Sequence, residues 1–191
     1  MFADTTFKMT ISLSFWTVII LAMNSNKVIW EERDLLMLSK YKELKITIDQ
    51  LNDIKLPLKK PFILSIEWSG VNYEFLIRLN RRTSKLLVFG SGAYKPSSLS
   101  LPLFHRHSWI NDFKESIIFY NDPTLYLGTI SIGWGQGTIE RFYLKDIAEI
   151  LKIIISKMNY KNENVYFYGS SAGGFMSMML ATFIKNTTVL V

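Results

Sequence analysis

The stretch that decides the fold is "VYFYGSSAGGFMSMML", Val165 to Leu180. An apolar run of strand composition there ends in five small residues, two of them serines, and restarts at once as a helix. Gly169, Ser170, Ser171, Ala172 and Gly173 read G-x-S-x-G, preceded by the strand-like run and followed by "GGFMSMMLATFIK", the setting that a nucleophile elbow requires. A serine on so sharp a strand-to-helix turn takes strained backbone angles, so the residues two positions away on either side must be nearly free of side chain. Gly169 and Gly173 meet that need. Ser171 is then the candidate nucleophile, projecting above a sheet at a helix N-terminus whose free N–H groups face a developing oxyanion. The Ala172 N–H is one expected donor.

The same turn has plainer readings: a close helix–sheet contact, or a cradle for an anion at a helix N-terminus. No lysine follows in a G-x-x-x-x-G-K-[ST] arrangement, which excludes a P-loop, and no G-x-G-x-x-G stands there for a dinucleotide.

Working outward, "KLLVFGSGA", "SIIFYND" and "NVYFYG" are short apolar runs without alternation, as expected of central strands covered on both faces. "FILSIEWSGVNYEFLIRL" alternates in two runs around Ser69 to Asn72, the pattern of an antiparallel hairpin. Tyr143, Ile147, Ile150, Leu151, Ile154 and Met158 recur at spacings of three and four and predict an amphipathic helix. Strands and helices alternate, which predicts a mostly parallel α/β sheet with helices on both faces and the hairpin adding antiparallel strands at one edge. The first strand supplies the second oxyanion donor: "FGSGA" sets Ser91 and Gly92 among glycines, where backbone can approach a substrate closely. A loop of about 25 residues follows, from Gly90 to Glu115, and carries both histidines of the chain; loops of that length inside a compact domain are uncommon and often functional.

Pro57 and Pro61 mark a boundary near residue 60. Residues 1–60 form a divergent N-terminal region and 61–191 the domain proper. Within the first region, "EERDLLMLSKYKEL" predicts a helical connector and "ITIDQLNDIKLPLKK" an irregular stretch. The apolar segment 9–23 is about fifteen residues long, short of the roughly 20 that cross a bilayer. It lacks a clear cleavage site for a secretion signal, so a membrane role is not expected and a buried strand or helix is.

The chain has 191 residues, 49% of them hydrophobic, enough for one full core. Its net charge of +6 comes from Lys and Arg scattered singly, so a phosphate-tracking stripe, and with it nucleic-acid binding, is not expected. The absence of cysteine removes disulfides, thiolate metal sites and Cys nucleophiles and fits a reducing, cytoplasmic location. With no cysteine and only two histidines, one residue apart, neither a metal nor an organic cofactor is expected.

At the elbow and its flanking elements the sequence resembles the α/β-hydrolase family over residues 61–191. "YNDPTLYL", "GWGQGT" and "FYGSSAGGF" are similar to the branch associated with bacterial surface polysaccharide and glycoprotein systems. The resemblance implies a serine esterase or acyltransferase acting on an ester, an acetylated glycan for that branch. Trp134, held between Gly133 and Gly135, is then a candidate wall for stacking a sugar, against the alternative of ordinary packing.

In that family the acid and the histidine follow the nucleophile along the chain. None of the 20 residues after Ser171 is His, Asp or Glu. This predicts an incomplete hydrolase domain, the N-terminal part of a longer one and inactive by itself, with a non-catalytic binding or scaffold module of a glycan pathway as the alternative. A rival assembly from residues present has His105 or His107 as base, oriented by Asp112 or Asp122.

Overall fold

The three apolar runs are adjacent strands at the centre of the sheet. In the computed structural model, which describes residues 38–97 and 99–191, β4 (Leu86–Gly90) lies between β5 (Ser116–Tyr120) and β6 (Val165–Tyr168), parallel to both. Every residue of β4 and β5 is buried, which is why these runs do not alternate. The hairpin forms as expected: β2 (Phe62–Trp68) and β3 (Val71–Arg78) are antiparallel, with Phe62 opposite Ile77 and Trp68 opposite Val71. Ser69 and Gly70 turn the chain at φ 49° and 78°, two consecutive left-handed residues whose twist matches that of the flanking strands. The Gly70 N–H donates to Glu67 Oε1 at 2.7 Å.

Among the described residues the sheet has seven strands in the order β1-β2-β3-β5-β4-β6-β7, with β1 at Lys42–Thr47 and β7 at Thr188–Leu190. Pairing is antiparallel only between β2 and β3 and between β3 and β5. One strand, β3, therefore runs against the other six. The hairpin is not the edge of the sheet, because β1 pairs in parallel outside β2, with Leu44 opposite Leu64 and Ile46 opposite Ile66. The sheet thus begins at Lys42, ahead of the proline boundary near residue 60, and residues 42–44 of the expected helical connector are strand. Residues 48–52 form a single 3-10 turn. The apolar segment 9–23 and residues 31–37 of the connector lie outside the described residues.

Helix α1 (Tyr143–Lys157) buries Ile147, Ile150, Leu151 and Ile154, the stripe its periodicity predicts. Burying each such side chain contributes about 1.5–3 kcal/mol. Helix α2 (Ala172–Phe183) contributes Met176 and Leu180 to the same core. That core takes alternate residues of the sheet, among them Leu64, Phe75, Val88, Ile118 and Phe167, so among the described residues both α-helices cover one face.

Among the described residues no α-helix covers the opposite face. The opposite face is covered by the long loop after β4, which contains only a 3-10 turn at His107–Asn111. Its aromatic residues replace a helix: Trp109 and Phe113 pack on Phe89 at ring-centroid distances of 6.2 and 6.1 Å, and Phe89 stacks on Phe119 at 4.9 Å. A buried arginine holds this cover in place. Arg78, on β3, donates to the carbonyls of Ile110, Phe113 (2.6 Å) and Glu115 (2.9 Å). The fork geometry of the guanidinium lets one side chain satisfy several carbonyls that a helix would otherwise have satisfied internally.

Candidate active site

Ser171 sits where β6 turns into α2, as the residue immediately before the helix, at φ 55° and ψ −127°. A non-glycine residue there is strained, and such strain persists only where the surroundings over-determine it. The surroundings are two glycines pressed against backbone. A Cβ on Gly169 would collide with the carbonyl of Gly173, and one on Gly173 would stand 2.5 Å from Gly90 O and 2.9 Å from Ser91 O. The pattern of the sequence is therefore a packing requirement: each glycine faces main chain that cannot retreat.

Ser171 is exposed, while Ala172 is buried just inside the helix. The Ala172 N–H has no acceptor among the described residues, as expected for the first donor of a helix. Across from it, Gly92 approaches the elbow so closely that a Cβ there would be 3.2 Å from Ser170 O and 3.8 Å from Ser171 Cβ. Ser91, Gly92, Trp134 and Ala172 line one cavity, together with Tyr120, Asp122 and Met176. The two halves of the expected oxyanion site are thus side by side.

One donor is already engaged. The Gly92 N–H donates to His105 Nδ1 at 3.2 Å, so in this arrangement it is not free for an oxyanion. Ser91 locks the loop from the other side, accepting from the His105 N–H at 3.0 Å and donating to Leu103 O at 3.2 Å. With Nδ1 accepting, the neutral His105 ring carries its proton on Nε2, an atom that is buried without a partner. Burial first, then the Arg106 and His107 charges, push its pKa down to about 4.

The rival triad is not assembled. His105 is committed to Gly92, and His107 Nδ1 lies 3.1 Å from Phe104 O, a bond to main chain. Asp112 is exposed at the end of the 3-10 turn. Asp122 is buried and spends both carboxylate oxygens on backbone, accepting from Thr124 N and Gly135 N at 2.9 Å each. That second bond gives Asp122 its role: it holds the loop carrying Trp134.

Trp134, at φ 51° and 45% exposed, makes an edge contact with Phe175 at 6.4 Å between centroids. Phe175 is also partly exposed, 39%, and the sequence did not single it out; its position one helical turn after Ser171 was the available signal. Arg106 was missed as well. It occupies a left-handed conformation at φ 64°, donates to Ser170 Oγ at 2.9 Å and lies over the rings of Trp109 and Tyr168 at 5.6 and 5.3 Å. No sequence signal marks a single arginine 64 positions from its partner.

On α2, Met176 is buried and Met179 partly buried, whereas Met178 is 49% exposed. Among the described residues no helix is long and apolar enough to cross a membrane.

The strand order, the single reversed strand and the serine on a strained turn between β6 and α2 define an α/β-hydrolase fold. No protein-family model matches the chain, and no curated protein matches it. Among solved structures it is similar to the capsule O-acetyltransferase of Neisseria meningitidis serogroup A, at 17% identity and TM-score 0.49 over 64% of this chain and 50% of that one. It is similar to the Gap123 glycosylation-associate protein complex of Streptococcus agalactiae, at 17% identity and TM-score 0.43, covering 60% of this chain and 20% of that one. An alpha-beta serine hydrolase homologue of Coxiella burnetii matches at TM-score 0.44 over 69% of this chain and 61% of that one. The chain spans between a fifth and about three fifths of these structures.

Proposed function

We propose that this chain carries the nucleophile half of a serine esterase or acyltransferase, with Ser171 as nucleophile and an acetylated glycan as the class of ester. The observation that carries this reading is the backbone of Ser171, held at φ 55°, ψ −127° between two glycines that admit no side chain. A turn that only packed a helix on a sheet would have no use for an exposed serine in that conformation.

In the proposed reaction Ser171 Oγ attacks the ester carbonyl, the alcohol leaves, and the acyl group stays on Oγ until water or an acceptor hydroxyl removes it. The Ala172 N–H and the positive end of α2 stabilise the charge that develops on the carbonyl oxygen. Ser91 and Gly92 form the opposite wall of the oxyanion site, and the Gly92 N–H becomes a second donor once the His105 ring moves off it. Trp134 and Phe175 supply an aromatic wall on which a sugar face stacks. The base that takes the Oγ proton belongs, in the family's chain order, to a later segment.

A second reading, a non-catalytic module of a glycan pathway, is favoured by one observation: both histidine rings engage main chain, not Ser171. Prolonged incubation with a fluorophosphonate, with imidazole supplied as an external base for Ser171 Oγ, followed by peptide mass spectrometry, separates the two. The proposal expects a label on Ser171 that disappears in S171A. No label on Ser171 in folded protein would make the non-catalytic module the better account.

A further inference from the structure

Arg106 stands beside the elbow with no anionic partner among the described residues. The ion pairs among the described residues are Lys45 with Glu43, Arg141 with Asp146 and Lys152 with Glu149; none includes Arg106. Arg78, the buried arginine of the same face, is surrounded by three carbonyls. Arg106 differs from both. Its polar contact is a neutral hydroxyl, Ser170 Oγ at 2.9 Å, and its guanidinium is stacked over Trp109 and Tyr168 at 5.6 and 5.3 Å.

Several features fix it there. Its backbone is left-handed, φ 64° and ψ 20°, a conformation that a residue other than glycine keeps only where its surroundings hold it. The preceding residue is pinned through its amide, which donates to Ser91 Oγ at 3.0 Å. Two aromatic faces leave the planar fork oriented while its remaining N–H groups keep their donor capacity. A pre-oriented guanidinium next to a nucleophile matches the two coplanar oxygens of a carboxylate or phosphate.

We propose that Arg106, tethered by Ser170 and stacked on Trp109 and Tyr168, is a subsite for an anionic group, phosphate or carboxylate, carried by the ester substrate. The inference rests on the reading of Ser171 as the nucleophile and narrows its substrate class to acidic esters. The site then has two sides: a cation that reaches the elbow through Ser170, and Trp134, which lines the cavity with Ala172 and meets the Phe175 ring edge-on.

The test is calorimetric titration of the full chain with N-acetylglucosamine 1-phosphate, glucuronate and uncharged N-acetylglucosamine, in wild type, S171A, R106Q and R106K. At least one anion is expected to bind roughly tenfold to a hundredfold more tightly than the uncharged sugar, the range of one charge-assisted contact. Which anion wins distinguishes phosphate from carboxylate. The preference should persist in S171A, vanish in R106Q and be reduced in R106K, which keeps the charge but loses the fork. An anion preference that survives R106Q, or the absence of binding by either anion in folded protein, overturns the proposal; should R106Q not fold, R106K binding anions as wild type does would overturn it equally. Binding in S171A involves no chemistry, so this result and fluorophosphonate labelling of Ser171 fail independently.

Discussion

Gly173 packs directly on Gly90: a Cβ added to Gly173 would stand 2.5 Å from the Gly90 carbonyl oxygen. The start of α2 and the end of β4 are therefore in backbone contact, and the same contact brings Gly92 against Ser171. G173A is expected to destabilise the protein by about 2 kcal/mol or more, because neither carbonyl can move without disturbing two central strands. Urea unfolding midpoints check this; a G173A protein as stable as wild type would mean that α2 can slide off the sheet.

The strain at Ser171 gives a prediction of the opposite sign. S171G places the one residue that tolerates φ 55°, ψ −127° at low cost, so stability should rise by about 1 kcal/mol. Fluorophosphonate labelling should be abolished in the same variant. A destabilised S171G would show that the serine side chain, not its conformation, matters at that position.

His105 makes stability depend on pH. Its pKa in the folded protein is pushed down to about 4, below the value of about 6.5 in an unfolded chain. Between these values the unfolded state binds more protons, so stability falls as pH drops from about 6.5 toward 4. Glu74 acts in the opposite sense, since burial raises its pKa. The informative quantity is therefore the difference between wild type and H105N: the loss of urea midpoint between pH 7 and pH 4.5 should be smaller in the variant. An identical loss in both would place the titration elsewhere.

Arg78 is 9% exposed and bonds to three carbonyls of the segment that replaces a helix. R78M should cost about 3 kcal/mol by leaving those buried acceptors unpaired, and limited proteolysis should then cut between residues 104 and 115. R78K should recover only part of the loss, because an ammonium cannot reproduce the fork. Full recovery in R78K would show that charge alone suffices.

At Trp134, 45% exposed, W134A should change stability by less than about 1 kcal/mol. The proposed role predicts weaker binding of a sugar ester by the same variant, measured by calorimetry. Unchanged affinity would return Trp134 to ordinary packing.

Much of the fold is legible along the chain because its causes are local. Apolar runs of four or five residues without alternation have no polar side to leave in water, so β4, β5 and β6 are readable as central strands. The spacing of Gly169 and Gly173 around Ser171 is readable because a tight turn excludes side chains at fixed offsets. Strand β1 is not readable in this way. It lies at one end of the sheet, and only Leu44 and Ile46 of "KELKIT" face the core, too few for a periodic signal against the flanking lysines and glutamate.

The sequence by itself determined the elbow, the hairpin, the stripe of α1 and the strands that flank the site, since each follows from residue type at short range. Tertiary structure alone decided what surrounds Ser171. Gly92 meets His105, Asp122 holds the loop of Trp134, and Arg106 reaches Ser170 across 64 positions. These are single side chains meeting across loops, with neither period nor spacing to announce them. Only the packing of β4 against α2, and of the long loop over Phe89, sets the distances at which they meet.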